Sequence, residues 1–262
     1  MSMRLGFVGS GAITSAIVTG LASTSSDQPS IQLSPRNSES AARLAARFLG
    51  VSVASSNQEV LDTSDVIVLA VRPQVAPHVI SELRFRPSHR VISVISSFSV
   101  AALSARVAPA IKVTRAVPLP SVADRRGPTP IYPPDPLVAE LFGKLGVAIQ
   151  VEREDEFEAF CAATATIASY FTFADTIVSW LAGHGIPHAQ ARDYISRIFR
   201  GLADATTSAP APAFKVLSDE HATRGGINEQ LLTHLAGHGV FKDLSQGLDA
   251  VLHRILTAQP KS

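Results

Sequence analysis

The chain begins with a short apolar run, a glycine turn and a stretch with helical spacing. Leu5, Phe7 and Val8 predict a buried strand, and the segment Gly-Ser-Gly at residues 9–11 predicts the turn that leaves it. Apolar side chains then recur at helical spacing over residues 12–21. A strand, a glycine turn and a helix in this order are typical of the start of a dinucleotide-binding βαβ unit.

Strands and helices continue to alternate through residue 116. Apolar runs predict strands at residues 31–33, 51–53, 65–71, 90–95 and 111–116, and helical spacing predicts helices at residues 38–48 and 100–107. This alternation predicts an α/β fold with a doubly wound, mostly parallel sheet. Residues 117–136 are rich in proline and predict a loop with an edge strand. A helix at residues 137–145 and a strand at residues 147–151 then complete the sheet.

Beyond residue 152 the pattern is helical only. Helices are predicted at residues 157–181, 189–207, 213–217, 227–235 and 244–256. The expected division is therefore a sheet domain at residues 1–151 and an all-α domain at residues 152–262. Residues 159–174 carry no charge, but they are few for a membrane span and include Thr, Ser and Tyr, so we interpret them as a buried helix. Because a small domain cannot bury such a helix alone, we expect a homodimer or a higher homo-oligomer.

Composition narrows the class of protein. With 46% hydrophobic and 17% charged residues the chain is that of a folded protein, and its net charge of +1 gives no reason to expect nucleic acid. The single cysteine, Cys161, excludes an internal disulfide and fits a reducing cytoplasm. The first strand starts almost at the N-terminus, so we expect no signal peptide and no membrane association. The histidines show no metal-binding pattern, and no metal is predicted.

The glycine turn and the second strand indicate a cofactor. Glycines let the backbone approach a pyrophosphate, and a helix start offers N–H groups and a positive dipole end to it. The glycine motif is incomplete, because Thr14 stands where the third glycine is usual, so the alternative that residues 9–11 form only a turn stays open.

The second strand ends without the acidic residue that holds the ribose of NAD in such folds. Its Ser, Arg and Asn suit the 2′-phosphate of NADP instead, unless they form only a solvated turn. The predicted cofactor is NADP, with NADPH preferred over NADH, bound by Gly9, Ser10, Gly11, Ala12, Ile13, Ser34, Arg36 and Asn37 and by Ala70, Val71, Arg72 and Pro73 after the fourth strand.

Four motifs in order resemble a known enzyme family. They are Gly-Phe-Val-Gly-Ser-Gly at residues 6–11, Ala-Val-Arg-Pro at residues 70–73, Arg-Ala-Val-Pro at residues 115–118 and Thr-Arg-Gly-Gly-Ile-Asn at residues 223–228. This series is similar to the pyrroline-5-carboxylate reductase family. The resemblance implies an N-terminal Rossmann domain, a C-terminal helical dimerisation domain and reduction of a cyclic imine to proline with NAD(P)H.

The resemblance also implies site residues, with departures from the family. Its substrate carboxylate is held by two threonines and adjacent backbone N–H groups, where this chain has Ile227 and Asn228. We therefore expect a carboxylate-bearing imine at Thr223, Arg224, Gly225, Gly226, Ile227 and Asn228, with poor affinity for pyrroline-5-carboxylate itself. Tyr170 is retained in the long helix, and Tyr170 and Asn228 are the candidate catalytic residues that donate the proton, with His221 as a further candidate.

Two other functions stay open. A related Rossmann dehydrogenase acting on a hydroxy acid would use a lysine in the long helix, and residues 152–181 contain none. A non-catalytic NADP-binding protein would explain Leu119 and Ile227 as marks of a dead site.

Overall fold

The computed structural model describes residues 3–23, 28–96, 98–207 and 212–258. The chain forms two compact units, the first comprising Met1–Cys161 with Arg254–Ser262 and the second Ala162–His253. The predicted boundary at residue 151 precedes this change, because the helix that follows residue 151 packs within the first unit. As a division into functional domains, residues 1–151 and 152–262 stay a prediction.

The first unit is a doubly wound α/β structure, as predicted. Its strands are β1 (Arg4–Val8), β2 (Ser30–Leu33), β3 (Val51–Val53), β4 (Val66–Leu69), β5 (Arg90–Ser93), β6 (Lys112–Ala116), β7 (Gly127–Tyr132) and β8 (Gly146–Gln150). They form one sheet in the order β3-β2-β1-β4-β5-β6-β7-β8, in which only the β6–β7 pair is antiparallel. The chain reverses its direction of growth between β1 and β4, and in such sheets a crevice for ligands opens there at the strand C-termini.

Helices cover both faces of this sheet. They are α1 (Ala12–Ala22), α2 (Ser38–Arg47), α3 (Asn57–Thr63), α4 (Ala76–Ser81), α5 (Val100–Arg106), α6 (Pro136–Gly143) and α7 (Glu154–Ala163), with a 3₁₀ turn at Pro120–Asp124. Successive side chains of β1 point to opposite faces: Phe7 packs in a core cluster with residues of α1, α2 and α6, and Val8 in a second cluster with residues of α3, α4 and α5. The central strands are buried on both sides, which explains their continuous apolar sequence.

The proline-rich segment departs from the prediction. It was expected to form an edge strand, but β7 lies inside the sheet and β8 forms the edge. Gly127 and Ile131 make backbone hydrogen bonds toward β8, so the nitrogens of Pro128 and Pro130, at alternate positions, face β6. β6 pairs only with Ile131 and Tyr132 at the far end of β7. Beyond these pairs the Pro130 carbonyl still accepts the Val117 N–H at 3.1 Å, so the prolines are tolerated because their nitrogens lie outside the paired residues of β6.

Three further differences concern helices. The short helices α3 and α4 were not predicted, because six or seven residues show little periodicity. The single long helix predicted at residues 157–181 is two helices, α7 and α8 (Thr166–Gly183), separated by a turn at Thr164 and Ala165. The hydroxyl of Thr166 donates to the Ala163 carbonyl at 2.7 Å, so the side chain competes for the backbone acceptor at the break.

The second unit is helical, as expected. Apart from α8 it contains α9 (His188–Thr207), α10 (Phe214–His221), α11 (Ile227–Gly237) and the greater part of α12 (Val240–Ala258), and the described residues after 151 include no strand. Its own core is small, formed by Val178, Ala191 and Ile195 between α8 and α9. Residues 154–183 are long and apolar enough to cross a membrane by length and composition alone. The aromatic side chains of α8 are largely exposed within the single chain, and burial of this helix in a homo-oligomer stays a prediction.

A buried charge network fixes α7 against the first unit. The Arg115 guanidinium, at the end of β6, binds Glu154 at 2.9 Å and Glu158 at 2.5 Å and stacks 4.5 Å from the centroid of the Phe157 ring. Arg115 and Glu158 are each 1% exposed. Glu154 also accepts the backbone N–H of Val100 at 2.8 Å, which ties the start of α5 to the same network. The buried guanidinium of Arg115 is tolerated because the carboxylates of Glu154 and Glu158 and the Ser96 carbonyl accept its terminal N–H groups.

We expect the Cys161 thiol, one turn after Glu158, to be unreactive in the native protein. Burial, and then the neighbouring Glu158 carboxylate, raise the pKa of Cys161 to about 12. Only the thiolate is nucleophilic, so at pH 8 its population is about a thousandfold below that of an unperturbed thiol. Titration with an aromatic disulfide reagent should detect almost no thiol in the folded protein and one per chain in urea. Cys161→Ser serves as the blank, and fast labelling of the folded protein would contradict the expectation.

Candidate functional site

The turn after β1 depends on a close approach between two backbones. Gly9 has φ +108°, and a Cβ there would lie 2.4 Å from the carbonyl oxygen of Ala70, at the end of β4. That conformation and that distance exclude any residue with a side chain. Only glycine at position 9 therefore allows the ends of β1 and β4 to approach this closely, at the point where the sheet changes direction.

Ser34, at the end of β2, holds this turn from the other side. The Gly9 N–H donates to the Ser34 hydroxyl at 2.9 Å, and the Ser10 hydroxyl donates to the Ser34 carbonyl at 2.7 Å. Asn37 donates to the Ser10 carbonyl at 3.2 Å and caps α2 with its side-chain oxygen. Ser34 is fully buried and its hydroxyl accepts the Gly9 N–H, so it holds the turn in this structure, and its contact with a cofactor phosphate stays a prediction. Arg36 is exposed at the same edge.

The start of α1 is open. In the described residues no side chain caps the helix at Gly11, and its first turn contains no acidic residue. Gly11 and Ala12 are exposed and Ile13 is half-buried. Thr14 is buried and donates its hydroxyl to the Gly9 carbonyl at 2.7 Å, so it stabilises the turn at the position of the usual third glycine. The unpaired N–H groups and the dipole of α1 thus face outward, as an anion site requires.

The segment after β4 forms the third side of this edge. The Arg72 carbonyl accepts the N–H groups of Val75 and Ala76 at 3.1 Å, which starts α4. Arg72 is exposed, whereas Ala70, Val71 and Pro73 are half-buried. The structure thus brings the three predicted cofactor segments, residues 9–13, 34–37 and 70–73, to the C-terminal edge of β1, β2 and β4. Their contacts with a cofactor stay a prediction.

In the second unit, the loop before α11 carries the predicted substrate residues. Gly225 has φ +74°, and its N–H donates to Glu229 at 2.6 Å; the Gly226 N–H donates to the Thr223 carbonyl at 2.8 Å. Arg224 is exposed. The two glycine N–H groups expected to bind an anion are therefore engaged within the loop. Sequence reasoning missed Glu229, although an acid in the first turn of a helix is a known partner for N–H groups preceding it.

Asn228 lies beside an apolar cavity. Its amide donates to the His221 carbonyl at 3.1 Å, and both residues line a cavity of ≈ 670 Å³ with apolar side chains of α9 and α10, among them Leu202, Phe214 and Leu217. Tyr170 lies elsewhere, on a smaller cavity between α8 and α9, where its ring contacts Phe171 and Phe199. Within this unit the two candidate proton donors therefore line different cavities, and the role of each stays a prediction. Ile227 is 85% exposed.

Comparisons with known proteins agree with this arrangement. Residues 4–97 match the family described as NADP oxidoreductase, coenzyme F420-dependent, and residues 154–257 match the pyrroline-5-carboxylate reductase dimerisation family. A pyrroline-5-carboxylate reductase of Vibrio alginolyticus is 22% identical over 96% of both chains. Among solved structures, a pyrroline-5-carboxylate reductase from Coxiella burnetii has a TM-score of 0.85 at 20% identity over the full length of both chains. A Plasmodium falciparum pyrroline carboxylate reductase with NADP bound has a TM-score of 0.83 at 18% identity, covering 98% of each chain.

The doubly wound sheet with its glycine turn, together with the match to an NADP oxidoreductase family, identifies an oxidoreductase with a Rossmann-type sheet, followed by a helical C-terminal unit. Two findings narrow this class to one family: the order of the two matched families along the chain, and relatives that align over almost the whole chain. The chain belongs to the pyrroline-5-carboxylate reductase family.

We expect Gly9→Ala to destabilise the protein and abolish nucleotide binding. A side chain at a positive φ costs about 1–3 kcal/mol of unfolding free energy, and the contact with the Ala70 carbonyl adds to it. Urea unfolding and nucleotide titration measure the two effects. Gly50→Ala separates the two costs, because Gly50 has φ +79° but a Cβ there would lie 3.7 Å from the Pro29 carbonyl oxygen, an ordinary van der Waals contact. Gly11→Ala, at φ −82°, should leave the unfolding free energy almost unchanged. Equal losses for Gly9→Ala and Gly50→Ala would show that the close approach contributes nothing.

Proposed function

We propose that this protein is an NADPH-dependent reductase of a cyclic imine, like pyrroline-5-carboxylate reductase, and yields a proline-type product. The observation that carries the proposal is the open, uncapped start of α1 behind the Gly9 turn, in a chain whose second half matches the dimerisation family of that enzyme. An NADP-binding relative with the same fold supports the cofactor.

The residues present fit a dinucleotide. Gly11 is exposed with open space where a Cβ would lie, so a ligand can approach the backbone there, and the first N–H groups of α1 are placed to hold a pyrophosphate. The exposed guanidinium of Arg36 is the group for a 2′-phosphate, since Ser34 is buried and Asn37 is engaged. When bound, the cofactor supplies hydride from its nicotinamide ring to the imine carbon. The chain then has to orient the imine, exclude water and place a proton at the nitrogen, for which Asn228 and Tyr170 are the proposed groups.

We propose a carboxylate-bearing imine as the substrate, held at residues 223–228. Arg224 offers an exposed cation beside the loop, and the first N–H groups of α11 offer further donors, since the helix ladder begins only with Gln230 donating to Gly226. The exposed Ile227 side chain cannot donate a hydrogen bond, so affinity for pyrroline-5-carboxylate should be lower than a hydroxyl there would give.

We further propose a homodimer, or a multiple of one, in the cytoplasm. The large exposed aromatic side chains of α8, such as Phe171 and Trp180, support an interface in the unit that matches the dimerisation family. A single buried cysteine fits a reducing compartment.

We expect NADPH oxidation, followed by absorbance, when the protein is given five- and six-membered cyclic imines with and without a carboxylate. Turnover of at least one ring imine would support the proposal, and its product should contain the saturated ring. Oxidation of hydroxy acids with NADP and no imine reduction would favour the hydroxy-acid dehydrogenase instead. Tight NADPH binding with no turnover on any of these compounds would indicate the non-catalytic cofactor-binding protein.

We expect NADPH to bind at least about tenfold more tightly than NADH, because a charge-assisted guanidinium–phosphate contact contributes about 1.5–3 kcal/mol. Arg36→Ala should remove most of this preference by weakening NADPH alone, as measured by titration of protein fluorescence. Arg43→Ala, an exposed arginine on α2, is the matched control and should retain the preference. Equal dissociation constants for the two cofactors in the unmodified protein would end this hypothesis.

A further inference from the structure

We propose that Glu229 determines substrate specificity by placing its own carboxylate in the loop where a substrate carboxylate binds. The inference rests on the proposed function. The negative charge of Glu229 lowers the preference of the enzyme for carboxylate-bearing imines over imines without a carboxylate. The reference for this comparison is the same loop without the charge.

The geometry of the loop makes Glu229 the anion of its own glycine segment. At φ +74° the Gly225 backbone adopts a left-handed conformation, and its N–H donates to the Glu229 carboxylate at 2.6 Å. That distance is short, as expected for a hydrogen bond to a charged acceptor. The Gly226 N–H is engaged by Thr223 within the loop. A bound anion therefore has to displace Glu229 or bind beside it.

Electrostatics sets the direction of the effect. Glu229 lies in the first turn of α11, where the helix dipole favours one negative charge. A substrate carboxylate at the same helix end gains less from the dipole, because Glu229 already compensates it. The Glu229 carboxylate also repels the substrate carboxylate, since both are negative. Arg224 beside the loop offsets part of this repulsion. Carboxylate binding is therefore weakened, while an imine without the carboxylate is indifferent to this part of the loop.

A structural role predicts a different result. An acid in the first helical turn that reaches back to an N–H group stabilises the helix start whatever ligand is present. Loss of such a cap would lower stability and change activity on all substrates alike. The ratio of kcat/KM for two imines that differ only in the carboxylate separates the two roles.

The test uses Glu229→Gln, whose amide oxygen can still accept the Gly225 N–H. kcat/KM is measured with NADPH for 1-pyrroline-5-carboxylate and for 1-pyrroline, which lacks the carboxylate. We expect the ratio to rise about three- to tenfold in the variant, through KM of the carboxylate-bearing imine, and the rise to shrink at high salt. Asp249→Asn removes the same charge from an exposed position on α12 and should leave the ratio unchanged.

An unchanged ratio in Glu229→Gln would overturn the inference, since Glu229 would then act only as a helix cap. If none of the proteins reduces either imine, the proposed function fails, and the inference is decided by binding of the product pair L-proline and L-prolinamide in the presence of NADP. Tighter binding of L-proline alone by Glu229→Gln supports the role of Glu229 as the competing anion, and equal affinities in both proteins refute it.

Discussion

The contact between Gly9 and the Ala70 carbonyl is the constraint on which the cofactor edge depends. β1 and β4 are neighbours at the point where the sheet changes direction, and their C-terminal ends approach so closely that no side chain fits between them. The helix that follows this turn begins at Ala12, directly after Gly11, and no side chain caps its first N–H groups. Ser34 and Thr14 then hold the turn through hydrogen bonds to the backbone of Gly9. One steric requirement thus sets the position of the anion site.

A second constraint acts at the other end of the first unit. Arg115 is buried at the end of β6, and it is matched by Glu154 and Glu158 of α7. Removing either the cation or the carboxylates alone would leave an uncompensated buried charge, which is far more costly than losing a surface ion pair. Because Glu154 also accepts the N–H of Val100, the network joins β6, α5 and α7. It explains why α7 belongs to the sheet unit although it is helical like the residues that follow.

Sequence reasoning identified the sheet and the helical half because both patterns are long and strongly periodic. It placed β7 wrongly, since proline predicts the edge of a sheet, and the sequence does not show that both proline nitrogens face away from β8 and lie outside the paired residues of β6. It could not show that Ser34 is fully buried and bonded to Gly9, because burial depends on residues distant in the sequence. Arg115 was found only as part of a motif, since its partners lie about forty residues away along the chain. Long-range pairing of this kind leaves no local pattern.

The two glycine segments of the chain show how similar sequences acquire opposite properties. At Gly9 and Gly11 the helix start carries no acid in its first turn, and its N–H groups are open to an incoming anion. At Gly225 and Gly226 the chain supplies its own acceptors, the Glu229 carboxylate and the Thr223 carbonyl. The glycines provide the conformation in both places, but an acid in the first helical turn decides whether the donors remain available. The availability of an anion site therefore depends on the residues that follow the glycines as much as on the glycines themselves.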